Sequence, residues 1–282
     1  MTKIALGIEY DGSHFSGWQK QTPDLPTLQA VVESALSAVA DQPIDIFCAG
    51  RTDAGVHATQ QVVHFETTAE RPLDAWVWGT NTHLPPTVRI IWAQPVPSNF
   101  DARRSAISRT YQYFIYNHRL RPALFHRQVT WHYRPLEVAK MQAAAQAWLG
   151  EHDFSSFRAA ECQSKTPIRR VMAIDVSCSG SLLRLSVTAN AFLHHMVRNM
   201  VGVLLAIGSG RAEVTWAEAV LAARSRVSAG ITAPPNGLYL VSVGYPNEFG
   251  LEGCLSTPAV SPWFCVDFDR GKDELAVKDN TI

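Results

Sequence analysis

The stretch Gly50-Arg51-Thr52-Asp53-Ala54-Gly55-Val56-His57-Ala58 concentrates chemistry in a small space. Asp53 brings a carboxylate, Arg51 a guanidinium two residues earlier, and His57 an imidazole four residues later. Gly50, Ala54, Gly55 and Ala58 keep the backbone slender, so another group can approach it closely. A lone carboxylate mounted this way can act as a nucleophile. A glycosidase-type pair would need a second positioned carboxylate as general acid; the loop has none, and Glu66 is the nearest in sequence. The same composition also suits a hairpin turn in which Asp53 bonds its own backbone.

A second concentration lies between Asp101 and Arg134. It holds seven arginines (Arg103, Arg104, Arg109, Arg119, Arg121, Arg127 and Arg134) against one acid. Aromatic and histidine side chains interleave with them, among them Tyr111, Tyr113, Phe125, Trp131 and Tyr133. Of the 25 basic residues in the chain 19 are Arg, the side chain suited to bidentate phosphate contacts. The net charge is zero, but residues 247–282 carry seven acids and three bases, so the remaining body is net positive. The pattern predicts a local RNA-facing surface on a neutral protein; its plain alternative is a solvated loop with scattered arginines.

Metal and disulfide chemistry find little support in the spacing. The five cysteines (Cys48, Cys162, Cys178, Cys254, Cys265) are odd in number, widely separated and form no Cys-x-x-Cys, which suits a reducing compartment. Cys48 and Cys178, at strand ends, read as small buried hydrophobes. His57, His64 and His83 lack a third ligand at useful spacing. His194 and His195 fall within a stretch read as helix, where adjacent positions diverge, so no shared metal site is expected there.

The elements that must position these groups follow from periodicity. Alternation at Ile4, Leu6, Ile8 and Tyr10 predicts a strand over 3–10. Thr27 precedes a helical face of Leu28, Val31, Val32, Ala35, Leu36 and Val39. Strands are expected at 44–49 and 61–67, bracketing the Asp53 loop as a stiff mount. A helix opens at Pro72, and a fourth strand covers 88–96. Strand, helix, strand, strand, helix, strand is the split βαβ order of ferredoxin-like domains. The second half repeats it: a strand at 109–116, a helix through Val138, Met141, Ala145 and Trp148, a hairpin of 168–177 with 182–189, a helix over 192–207, a short helix from a Thr215–Glu218 capping box, and a strand at 238–244.

The expected fold is therefore α+β, with two ferredoxin-like halves sharing a mixed, mainly antiparallel sheet, helices on one side and a ligand cleft where the halves meet. The expected division is 1–103, 104–246 and an extension at 247–282. At 282 residues with 46% hydrophobic side chains, the chain can bury a large core. No apolar run reaches the roughly 20 residues of a membrane span, and the first residues lead directly into a strand rather than a signal peptide.

Five motifs in order resemble the tRNA pseudouridine synthase A family: Tyr10-Asp11-Gly12 with Phe15-Ser16-Gly17-Trp18-Gln19, the Asp53 loop, Arg109-Thr110-Tyr111-Gln112-Tyr113, Phe192-Leu193-His194-His195-Met196-Val197-Arg198-Asn199, and Gly237-Leu238-Tyr239-Leu240. The resemblance covers residues 1 to about 246. It implies isomerisation of uridine to pseudouridine at positions 38, 39 and 40 of the tRNA anticodon stem-loop, by a cytoplasmic homodimer without metal or organic cofactor. It implies Asp53 as nucleophile, attacking uracil C6 or ribose C1′, and Tyr111 against the target base. Arg198 would be the cation that keeps Asp53 charged, and Leu240 the apolar neighbour of the nucleophile. Arg51 becomes a candidate for phosphate contact or base displacement, and Lys20, Arg109, Arg119 and Arg121 candidates for the RNA footprint, with Phe15 and Trp18 as further possible contacts. A non-catalytic RNA-binding protein on the same fold is the competing reading; it would need paired aromatics on central strands of both halves, which residues 61–67 do not supply.

Overall fold

The computed structural model describes residues 1–22 and 25–255. In chain order it has β1 (Thr2–Tyr10), α1 (Leu28–Ala40), β2 (Phe47–Cys48), β3 (His57–Thr67), a π-helical turn (Ala75–Gly79) continuing into α2 (Thr80–His83), and β4 (Val88–Pro95). The second half has β5 (Ser108–Asn117), β6 (Thr130–His132), α3 (Val138–Ala145), β7 (Gly150–Asp153), β8 (Ile168–Ser179), β9 (Leu182–Ala189), α4 (Met196–Gly208), α5 (Trp216–Ala223) and β10 (Leu238–Gly244).

All ten strands join one sheet in the order β4-β1-β3-β10-β5-β9-β8-β7, with β2 on β3 and β6 on β5. The first half orders its four expected strands as fourth, first, third, second, and the second half does the same with β10, β5, β9 and β8. Two ferredoxin-like halves are therefore fused edge to edge. The seam is short: β10 runs parallel to β3 only at Tyr239↔His57 and Leu240↔Ala58, while β2 takes the far end of β3 at Phe47↔His64 and Cys48↔Val63. One strand thus serves both halves, and the Asp53 loop lies just before its shared end.

The main core packs α1, α3, α4 and α5 with strand residues of both halves. A small second cluster, Phe114, Val129 and Tyr239 with Tyr116, Leu182 and Val241, contains no helical residue. Alternation along β5 explains the division: Tyr111, Tyr113 and Ile115 belong to the first cluster, and Phe114 with Tyr116 to the second.

Several local expectations change. Thr27 holds an extended N-cap conformation but its side chain makes no cap bond, and its hydroxyl is buried without a partner. Thr215 is helical and forms no side-chain cap bond either. The strand expected at 44–49 reduces to Phe47–Cys48, because the Ile46 amide donates to buried Glu33 of α1 instead of to a neighbouring strand. Strand β3 starts four residues earlier than its apolar alternation indicates, drawn in by pairing with β1 and β10. Strands β6 and β7 are short and polar, and carry no periodic signal. Cys178 is exposed, on the edge of the β8–β9 hairpin, rather than a buried hydrophobe. The extension begins anchored: Phe249 meets Phe100 edge-on at 5.2 Å, Leu251 is buried, and Gln60 Nε2 donates to the Cys254 carbonyl. The rest of that extension, with Cys265, lies outside the described residues.

Candidate active site

The Asp53 loop is held by contacts with the 12–18 stretch that demand glycine at two positions of that stretch. Trp18 N donates to Thr52 O at 3.0 Å, and Tyr10 Oη lies 2.8 Å from Thr52 Oγ1. Gly17, at φ 95°, lies so close that a Cβ there would be 3.0 Å from Thr52 O, and a Cβ on Gly12 would collide with Val56 O. A 3.1 Å bond from Val56 N to Asp53 O closes the turn. His57 anchors the exit. It is buried, its Nδ1 takes the Gly12 amide at 3.1 Å, its Nε2 faces the carbonyls of Arg127 and Asn236, and its ring stacks on Tyr239 at 4.6 Å. Beside it, burial pushes the Asp11 carboxyl up, but the neighbouring His57 ring, whose Nδ1 lies 3.1 Å from Oδ1, and hydrogen bonds from Ser13 outweigh it and hold the group well below the usual carboxylate range.

Asp53 projects from this loop, half-buried, toward the start of α4. Arg198 Nη1 donates to Asp53 Oδ2 at 3.0 Å, and its Nε donates to Ala233 O at 2.8 Å. The guanidinium is therefore aimed by a backbone carbonyl before it meets the carboxylate. Arg198 sits in the first turn of α4, not at the centre of a longer helix, because the helix begins at Met196. That late start has a second consequence. His195 adopts the left-handed conformation at φ 61°, which turns consecutive side chains toward one point instead of splaying them. His194 Nε2 lies 3.3 Å from Asp53 Oδ1, and His195 Nε2 lies 3.3 Å from Asp53 Oδ2. The expectation that these two imidazoles diverge is thus corrected: both reach the carboxylate. The left-handed residue is invisible to helical periodicity; the only signal was the motif itself. Burial, and next to it the Arg198 charge, depress the His195 imidazole below its ordinary value, outweighing the attraction of Asp53.

Tyr111 and Leu240 complete the floor. Leu240 is fully buried and pairs with Ala58 on one side and Tyr111 on the other, so it bridges the strand of the Asp53 loop to the strand of Tyr111. Tyr111 meets Phe192 edge-on at 4.9 Å. Burial, followed by the negative charge of Asp53, pushes its phenol far above the ordinary range, so it stays protonated.

The other expected residues separate. Arg51 is exposed beside the loop and has no hydrogen bond or ion pair among the described residues. Lys20 is exposed and pairs with Glu33 at 3.3 Å. Trp18 is core, 1% exposed. Arg119 and Arg121 are exposed in the β5–β6 connection, where Arg121 lies over the Trp131 ring at 4.6 Å. Arg109 is not part of the exposed arginine surface. It is 8% exposed and gives Nη1 to the carbonyls of Ala106 and Asn190 and Nη2 to those of Ala49 and Arg103. Its position on the inward face of β5 decides this, and through Ala49 it clamps the root of the Asp53 loop. The substitution Arg109→Met is expected to lower stability by about 3 kcal/mol, since it removes four hydrogen bonds from a charged donor and strands the buried Ala49 carbonyl; thermal unfolding measures it, and an unchanged midpoint would refute the clamp.

A family model described as tRNA pseudouridine synthase matches residues 7–103 and 144–246. The tRNA pseudouridine synthase A of Coxiella burnetii is 55% identical over 251 residues, covering 89% of this chain and 96% of that protein. That of Pseudomonas aeruginosa is 52% identical over 251 residues, covering 89% and 88%. That of Nitrosococcus oceani is 55% identical over 261 residues, covering 93% and 100%. The matched segments contain the Asp53 loop and the α4 turn that meets it, and on this ground the chain belongs to the tRNA pseudouridine synthase family.

Proposed function

We propose that this chain isomerises uridine to pseudouridine in tRNA, at positions 38, 39 and 40 of the anticodon stem-loop, with Asp53 as the nucleophile. The observation that carries the reading is the Asp53 carboxylate, held on a stiff loop, under an Arg198 guanidinium that reaches it from the other half of the sheet at 3.0 Å. The guanidinium offsets part of the hydration that the carboxylate loses on burial, and a carboxylate in such a position can act as a nucleophile.

In the reaction the N1–C1′ bond breaks, the uracil turns, and a C5–C1′ bond forms. C5 loses its proton and N1 gains one. There is no redox change and no transfer to a second molecule, so the reading calls for no cofactor. The uridine must first leave its stack, at a cost of a few kcal/mol, and an aromatic platform returns roughly 1–3 kcal/mol of it. Tyr111 fits that task as a neutral phenol that packs on the base and hydrogen-bonds it. Burial and the charge of Asp53 keep it protonated in the RNA-free protein. Leu240 supplies the dry floor. His194 and His195 align the two carboxylate oxygens.

The RNA would lie along exposed arginines. Arg103, Arg104, Arg119, Arg121, Arg127 and Arg134 are all exposed, with Arg51 and Lys20 on the loop side. Charge reversal at Arg119 and Arg121 together is expected to weaken tRNA binding and to reduce the salt slope by about 2, roughly one counterion per lost phosphate contact; an unchanged slope would remove both from the footprint. The reading also takes the working form to be a cytoplasmic homodimer. Release of tritium from tRNA labelled at uridine C5, together with nucleoside analysis of the digested product, tests the activity; digests holding only ordinary uridine would overturn it.

A further inference from the structure

We propose that Asp53, His194 and His195 form a binding site for a divalent transition-metal ion of the zinc type, and that the ion bound there inhibits the enzyme by capping the nucleophile. The three side chains bring ligand atoms that all lie within 4.8 Å of one another. Both imidazole Nε2 atoms stand 3.3 Å from a carboxylate oxygen of Asp53. A tetrahedral zinc ion bound at about 2.0–2.1 Å holds its donors about 3.3 Å apart, so the spacing of His194 Nε2 from Asp53 Oδ1 already matches, and His195 Nε2, which faces the other carboxylate oxygen, lies within 4.8 Å of both and closes on the ion by a small side-chain rotation. Two imidazoles and one carboxylate suit borderline ions such as Zn2+, Co2+ and Ni2+ and discriminate against Mg2+, which prefers six oxygens. Three protein ligands with a position left for water is the arrangement of an open zinc site.

The site is built rather than accidental. The His194 amide donates to Cys162 Sγ at 3.4 Å and its carbonyl accepts from Ala159 N at 3.0 Å, which fixes the backbone. His195 is aimed by its left-handed conformation. The Asp53 loop is clamped as described above. One feature opposes the ion: Arg198 already holds Asp53 Oδ2 and repels a second cation. The Arg198 bond goes to Oδ2, which leaves Oδ1 as the oxygen that ligates, and the repulsion places affinity in a roughly micromolar range rather than that of a structural zinc site.

The inhibition, unlike the binding, rests on the nucleophile assignment. Titration of the RNA-free protein with Zn2+ alone, followed by Co2+ absorption spectroscopy, keeps the two separate. One equivalent should bind, and His194→Gln, His195→Gln and Asp53→Asn should each weaken it tenfold or more. The Co2+ spectrum should lack thiolate charge transfer, since no cysteine among the described residues belongs to the site. Zn2+ should also lower kcat with little change in the affinity for tRNA, and a chelator should reverse this. Binding unaffected by all three substitutions, a thiolate-type Co2+ spectrum, or no binding below millimolar metal would overturn the site. Zn2+ bound at these residues without loss of isomerisation would overturn the inhibition and the nucleophile assignment while leaving the site standing. Lack of pseudouridine formation with the metal titration as expected would sink only the functional reading.

Discussion

Asp53→Asn should abolish tritium release from C5-labelled tRNA, with kcat/KM lower by at least about 10³, or roughly 4 kcal/mol of transition-state stabilisation. The exchange is nearly isosteric and keeps an oxygen for Arg198 to bond, so the loop should hold its shape. What disappears is the charge, and an amide is no nucleophile. Because phosphate contacts supply most of the affinity for nucleic acid, the dissociation constant for tRNA should stay within about twofold. The split between intact binding and absent turnover separates a chemical role for Asp53 from a structural one. A variant that isomerises at the native rate would end the assignment; one that neither binds nor folds would move Asp53 to the scaffold.

Arg198→Met should lower kcat/KM by roughly 10- to 150-fold, the equivalent of the 1.5–3 kcal/mol that a charge-assisted hydrogen bond contributes. Methionine occupies similar space among the apolar neighbours of α4, so beyond the ion pair with Asp53 the fold should lose only the bond to Ala233 O, about 1 kcal/mol. Arg198→Lys should recover part of the activity, since a point charge restores attraction but cannot satisfy Ala233 and Asp53 together in the planar manner of a guanidinium. Activity comes from tritium release and stability from thermal unfolding of the same preparations. Full activity in the Met variant would refute the partnership.

These two residues also mark how far the chain could be read before its structure was known. The duplicated strand and helix order was legible because large apolar side chains recur at every second position of β1 and β9, and because α1 and α3 carry apolar faces at helical spacing. The Asp53 loop was legible because a slender stretch between two strands is a local property. Arg198 was legible as an arginine amid apolar residues and as part of a motif, though its place in the first turn of α4 was not. Strands β6 and β7 were not legible, since a short polar strand is defined only by what it pairs with.

Where sequence and structure part, the cause is long-range contact. Arg109 shares residue type and neighbourhood with Arg119 and Arg121, yet it lies on the buried face of β5 and serves four carbonyls. That depends on the register of β5 against its neighbours and on the approach of residues 49, 103, 106 and 190. His194 and His195 converge because one residue takes a left-handed conformation that the surrounding packing must hold in place against a cost of order 1 kcal/mol. The amino-acid sequence by itself determined the two halves, the loop and the chemical groups on it, because periodicity and turn composition act over a few residues. The tertiary structure alone decided which cations face Asp53, because the seam between β3 and β10 joins groups nearly two hundred residues apart, and only there do the carboxylate, the guanidinium and both imidazoles share one space.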